Sequence, residues 1–239
     1  MKISSYDLFV GIEKDARLVF VSDLHGYNNK KILNEIDLIS PDCVLVGGDM
    51  VHNDKNYKNG IEFLRLCSEK YPTYCVIGNH EMKLSLDIEA MIKSSGAILL
   101  NDEYTEVCGI KIGGLKTGYK KGEKQGRTMR TPRPNVEWAE KFAGESGCKI
   151  LLSHHPEYYP EYLKDLDLDL VLSGHAHGGQ WRFFGRGVFA PGQGIFPKYT
   201  SGIYEGKLIV SRGIGNPHII PRINNRAEII ILNFKCEEK

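Results

Sequence analysis

The chain alternates between short apolar, often β-branched runs and stretches whose apolar positions recur at helical spacing. Runs at 17–22, 43–47, 73–78, 149–153, 168–173 and 207–211 each end in a small or polar cluster, and predict buried strands. Between the early ones, Ile32, Leu33, Ile36 and Ile39, then Ile61, Leu64 and Leu66, then Ile88, Met91 and Ile92 fall on helical faces. This order implies a largely parallel sheet covered by helices. Residues 190–221 are rich in glycine and proline, which predicts loops and antiparallel strands before a final strand at 228–234. With no fixed repeat, low-complexity tract or linker, the expectation is a single α/β domain spanning 1–239.

Composition narrows the classes without naming one. Hydrophobic residues at 41% and charged residues at 26% are ordinary globular usage, which excludes a disordered or fibrous chain. The 31 Lys+Arg against 30 Asp+Glu leave a net charge of +1, so there is no strong nucleic-acid signal. No apolar run approaches the roughly 20 residues needed to span a bilayer, and no transmembrane segment is expected. Asp7, Glu13, Lys14 and Asp15 interrupt any signal-like stretch, so secretion is not expected either. The six cysteines include no C-x-x-C pair, and Cys43, Cys75 and Cys148 lie in or beside apolar runs. They read as reduced core residues, which favours a cytoplasmic location. Lys111, Lys116, Lys120, Lys121, Lys124, Arg127, Arg130 and Arg133 form a local basic run among glycines, read as a mobile surface loop that could attract an anionic substrate. No sequence feature specifies an oligomeric state.

In open α/β sheets ligands bind beyond the carboxyl ends of the strands, so polar residues just after apolar runs are the ones to inspect. Five such endings carry metal-type side chains: LVFVSDLH with Asp23 and His25, VLVGGD with Asp49, CVIGNHE with Asn79 and His80, ILLSHHP with His154 and His155, and LVLSGHAHGG with His175 and His177. One alone is weak evidence, because a lone histidine is usually structural; five at equivalent strand ends point to one crevice. Asp23 and His25, and likewise His175 and His177, are expected to share a side as i and i+2 of extended segments. Glycines 47, 48, 78 and 174 would let the backbone approach an ion closely. Oxygen and imidazole donors without thiolate suit manganese, iron, zinc or a similar divalent ion.

In order, these motifs resemble the calcineurin-like metallophosphoesterases, and GHAHGGQ, YTSGIY, VSRGIGN and PRINNRAEIIIL look like the branch containing UDP-diacylglucosamine pyrophosphatase-like bacterial phosphodiesterases. The resemblance runs from about residue 17 to 234. It implies a four-layer α/β sandwich of two mixed β-sheets flanked by helices. It implies two divalent ions, one held by Asp23, His25, Asp49 and His177 and the other by Asp49, Asn79, His154 and His175, with Asp49 bridging. A shared water would attack phosphorus directly, and His80 would protonate the leaving group as general acid. The chain departs from the family at His52, where relatives have Asp or Asn supporting that histidine; Asp54 is an alternative orienting group, or His80 has none.

The expected activity is hydrolysis of a phosphodiester, pyrophosphate or phosphomonoester of modest size. The alternatives are a nuclease or cyclic-nucleotide phosphodiesterase, or a non-catalytic scaffold on the same fold. His155 is expected at the pocket rim, and His218 in a loop. Because parts of the similar branch act on lipid-linked substrates, Trp181, Phe183, Phe184, Phe189 and Phe196 raise a weak peripheral membrane contact, although core packing is the expectation for most of them.

Overall fold

The computed structural model describes residues 1–27, 29–122, 131–216 and 221–236. The first half runs β1 (Lys2–Phe9), β2 (Ala16–Val21), α1 (Asn29–Ile39), β3 (Cys43–Val46), α2 (Tyr57–Ser68), β4 (Thr73–Cys75), α3 (Ile88–Ser94) and β5 (Ile98–Leu99). The second runs β6 (Glu103–Val107), β7 (Ile110–Leu115), α4 (Val136–Ala143), β8 (Cys148–Ser153) and β9 (Leu170–Ser173). Two short hairpins follow, β10 (Arg182–Phe183) with β11 (Arg186–Gly187) and β12 (Phe189–Ala190) with β13 (Gly194–Ile195), then β14 (Gly202–Tyr204), β15 (Leu208–Val210) and β16 (Glu228–Lys235).

The large strands form two six-stranded mixed sheets, ordered β1-β16-β2-β3-β4-β5 and β14-β15-β9-β8-β7-β6. Within each, four consecutive neighbours are parallel: β2 to β5 in the first, and β15, β9, β8 and β7 in the second. The period of two along a strand sorts side chains between layers. On β2, Leu18 and Phe20 point between the sheets, where they meet Ile112, Ile150, Leu172 and Ile209. Val19 and Val21 point the other way, against Ile32, Ile36, Phe63 and Leu64 of the helices. On the far side Leu151, Val171 and Val210 pack on Ala139 and Phe142 of α4. The result is a four-layer α/β sandwich.

Several elements went unread in the sequence because their residues lack the expected pattern. The inward face of β1 carries Lys2 and Ser4, both bonded to the buried Glu228 carboxylate at 3.0 and 2.6 Å, so apolar alternation is absent there. The basic run does not begin as a loop. Ile110–Leu115 is a strand parallel to β8, Lys111 is paired with Glu145 at 2.9 Å, and a side chain at Gly113 would collide with Phe142. The glycines there serve sheet packing rather than mobility. Lys124, Arg127 and Arg130, and His218, lie outside the described residues.

The aromatic segment also differs from expectation. Trp181 is half-buried with its indole N–H on the Pro221 carbonyl at 3.0 Å, but Phe183, Phe184, Phe189 and Phe196 are exposed on the two hairpins. Core packing therefore does not account for them. Among the described residues, no helix is long and apolar enough to cross a membrane.

Candidate metal centre

The loops that follow β2, β3, β4, β8 and β9 meet at one end of the sandwich. Backbone bonds join the first two: the N–H groups of Asp23, His25 and Gly26 donate to the carbonyls of Gly48, Asp49 and Met50 at 2.9, 3.0 and 3.0 Å. The side chains reach the crevice by a route other than the extended one the spacing suggests. Asp23, His25, Asp49, His175 and His177 all have positive φ, between 46° and 62°. Non-glycine residues rarely occupy this left-handed region, and each costs on the order of 1–3 kcal/mol. A strand that ends on such a residue turns at once, so its side chain is aimed past the sheet edge rather than alongside it.

Convergence is close. His25 Nε2 lies 3.2 Å from His177 Nε2 and 3.8 Å from Asp49 Oδ2, and His177 Nε2 lies 3.7 Å from Asp23 Oδ1. Across the crevice His154 Nε2 is 3.4 Å from Asp49 Oδ2, while its Nδ1 faces the Gly47 carbonyl at 2.7 Å. Ligand-type atoms of Asp23, His25 and His177 fall within 4.8 Å of one another, as do those of Asp23, Asp49 and His154, and those of His154, His155 and His175. At Gly78 any side chain would overlap Asp49, with a Cβ only 2.7 Å from its backbone nitrogen, so the close approach expected of this glycine is present.

Glu81, which follows His80 in the same motif, organises this region and was not singled out from the sequence. It is buried, and its carboxylate accepts the N–H groups of Asp49 at 2.9 Å, Val51 at 3.0 Å and Gly78 at 2.9 Å. Burial, reinforced by the charge of Asp49, pushes it up to about 7 despite those donors. The signal was its position in N-H-E, directly beside two candidate site residues.

His80 is held from two sides. Its backbone N–H donates to Asp49 Oδ1 at 2.8 Å, and its Nδ1 faces the His52 carbonyl at 3.1 Å. Asp54 does not orient it, since that carboxylate accepts from the backbone and hydroxyl of Ser85 at 3.2 and 3.0 Å. Main chain therefore orients the His80 ring, and a carbonyl partner makes Nδ1 the protonated nitrogen. The His52 ring itself stacks on His80 at 5.0 Å between centroids.

His155 is not at a rim. It is fully buried, with Nε2 on Thr117 Oγ1 at 2.9 Å and Nδ1 3.6 Å from Glu157 Oε1, behind His154 and His175. Two residues from the chain's end also back the site: Arg222 Nη2 lies 3.3 Å from His177 Nδ1, and Asn225 donates to the His177 carbonyl at 2.7 Å.

The electrostatics suit a cation. Burial holds His25, His175 and His177 well below the usual imidazole range, leaving neutral rings with lone pairs to offer. Despite its burial, Asp49 is held well below the usual carboxylate range by His154, which Asp49 in turn pushes up to about 10, so His154 would give up a proton to offer Nε2 to an ion. Buried Asn79 Oδ1, His154 Nε2 and His175 Nε2 have no hydrogen-bond partner among the described residues. Orphaned buried polar atoms are costly, and three that share a crevice with carboxylates fit the missing partner of a divalent ion.

A family model described as calcineurin-like phosphoesterase matches residues 16–179. A metallophosphoesterase of Campylobacter jejuni is 30% identical over 258 residues, covering 98% of this chain and 63% of its own length. A Helicobacter pylori metallophosphoesterase is 28% identical over 177 residues, covering 71% of this chain and 46% of its own. This chain therefore spans about half to two thirds of those relatives. Phosphodiesterase YaeI of Escherichia coli is 29% identical over 243 residues, covering 91% of this chain and 82% of its own. Among solved structures, a sulfate thiohydrolase from Thermus thermophilus superposes with a TM-score of 0.50 at 14% identity, over 82% of this chain and 51% of that one.

Proposed function

This chain belongs to the calcineurin-like phosphoesterases, and from that premise we propose that it is a metal-dependent phosphoester hydrolase that works with two divalent ions on a small phosphorylated substrate. Asp23, His25, Asp49 and His177 would hold one ion and Asp49, Asn79, His154 and His175 the other, with Asp49 between them. The supporting observation is the set of orphaned buried atoms on Asn79, His154 and His175, which come from three different strand ends, with His154 Nε2 3.4 Å from Asp49 Oδ2. Manganese, iron and zinc all match this donor set. When bound, such a pair supplies Lewis acidity at the phosphoryl oxygens and a water of lowered pKa.

The chain's own residues supply the rest. Asp49 spans the crevice and accepts the His80 N–H, so the carboxylate that would bridge the ions also sets the position of the general acid. With Nδ1 committed to the His52 carbonyl, Nε2 is the nitrogen from which His80 would hand a proton to the departing oxygen. Glu81 fixes the backbone of Asp49 and Gly78, which keeps both candidate ligand loops at one spacing. A cavity of about 410 Å³ beside the Glu81 turn, lined by Lys116, Lys120 and Lys121 and also by Glu81, Asp87 and Glu89, offers room for the remainder of a substrate.

The test is hydrolysis of bis(p-nitrophenyl) phosphate by chelator-treated protein with manganese restored, beside Asp49→Asn and His80→Ala. We expect both variants to lose turnover by at least about a hundredfold, and His80→Ala to keep its metal. Turnover that survives Asp49→Asn would place the chemistry elsewhere. We also read the chain as one domain, because a single core cluster draws on both sheets, and as cytoplasmic, because all six cysteines are unpaired. The exposed phenylalanines 183, 184, 189 and 196 support a weak peripheral membrane contact, which flotation with anionic vesicles would detect.

A further inference from the structure

Glu157 lies beyond the motif residues, yet it sits against them. Its Oε1 is 3.7 Å from His175 Nε2 and 3.6 Å from His155 Nδ1, and its side chain is only 12% exposed. Thr131 donates its hydroxyl to Oε1, while buried Oε2 has no partner among the described residues. Gly192 packs so closely on Oε1 that a side chain there would overlap it. The carboxylate is therefore fixed in place, with Oε1 facing two orphaned histidine nitrogens, His155 Nδ1 and His175 Nε2, and Oε2 buried without a partner among the described residues. Desolvating a carboxylate next to neutral imidazoles is unfavourable unless a cation joins them.

We propose that Glu157 is a third carboxylate of the metal centre, sharing with His154 and His175 the second divalent ion, and that its charge adapts the site to singly charged phosphodiesters. This rests on the two-ion reading above. Two divalent ions facing Asp23 and Asp49 leave an excess of two positive charges, and Glu157 reduces that excess to one. A phosphodiester carries one negative charge near neutral pH and a phosphomonoester close to two. A site with the smaller excess therefore discriminates against the monoester in the ground state.

The experiment uses the full chain, stripped with chelator and titrated with manganese by calorimetry, for the wild type, Glu157→Gln and Glu157→Asp. Wild type should take up two ions, and Glu157→Gln should bind the second about 10–100-fold more weakly, with partial recovery in Glu157→Asp. In parallel, the ratio of kcat/KM for p-nitrophenyl phosphate to that for bis(p-nitrophenyl) phosphate should rise about tenfold in Glu157→Gln, since one repelling charge has gone. Far-UV dichroism of the stripped proteins checks the fold, and the Asp variant carries the test should the Gln variant not fold. Two ions bound with unchanged affinity in both variants would overturn the role of Glu157 and leave the two-ion reading standing. Failure of the wild type itself to bind manganese would remove both.

Discussion

Replacing Glu81 by glutamine changes one atom in a side chain that need not touch substrate, and the structure gives the cost. Oε2 accepts two main-chain N–H groups, from Asp49 and Gly78, and Oε1 accepts a third from Val51. Glutamine keeps one carbonyl oxygen. Facing it toward Asp49 and Gly78 preserves two bonds, but presents an NH2 to the Val51 N–H and leaves that buried donor unmet. A hydrogen bond to a charged group is worth about 1.5–3 kcal/mol, and a stranded buried donor costs about 1–3 kcal/mol. These overlap, and relief of the buried charge offsets part, so Glu81→Gln should destabilise the fold by about 2–3 kcal/mol. With an m-value of about 3 kcal/mol/M in urea for a chain of this size, the midpoint should fall by nearly 1 M. The same substitution loosens the 49 and 78 loops against each other, and displacement of about 1 Å at a reacting centre costs roughly a hundredfold in rate. Urea denaturation followed by dichroism, together with kcat for bis(p-nitrophenyl) phosphate, reads both effects. A variant with wild-type midpoint and wild-type kcat would show that the three N–H bonds do not brace the site.

Other outcomes follow from the same geometry. Removing divalent ions should lower Tm, and restoring one at a hundred times its Kd should return about 2.7 kcal/mol; a Tm indifferent to chelator would deny the ions a place in the native fold. Gly78→Ala should abolish metal uptake, because the added carbon overlaps Asp49, and retained binding in the alanine variant would mean the loop can retreat. Asp54→Ala should leave kcat within about twofold of wild type, since its carboxylate holds Ser85 rather than His80; a pH-rate profile that shifts would contradict that assignment.

The convergence of the candidate residues was more legible along the sequence than several of the elements around them. Each of the seven candidate ligands stands one to four residues past an apolar run, and buried parallel strands produce such runs whatever else surrounds them. β6, β7 and α4 gave no such signal. In β7, Lys111, Gly113 and Gly114 interrupt the apolar pattern, because one glycine faces Phe142 and the next faces Leu100 with no room for a side chain. Glu157 and Arg222 were invisible for another reason. Their importance lies in which imidazole they approach, at 3.7 Å from His175 and 3.3 Å from His177, and spacing along the chain carries no trace of that. His52 was legible only as a departure. Its contact with His80 Nδ1 is made by a carbonyl oxygen, which every residue possesses.

The left-handed backbone at Asp23, His25, Asp49, His175 and His177 links these observations. Five such residues together carry strain on the order of several kcal/mol, a large share of the net stability of a single domain. They persist because neighbouring loops are bonded to one another: Asp23 and His25 to the loop after β3, His175 through its N–H to both Asp23 carboxylate oxygens at 3.0 and 3.1 Å, and Asp49 to Glu81. Strain of this kind is retained where relaxing it would cost more hydrogen bonds than it returns. The crevice is consequently preorganised by main chain, and a divalent ion entering it would meet ligands already turned inward rather than drawing them together.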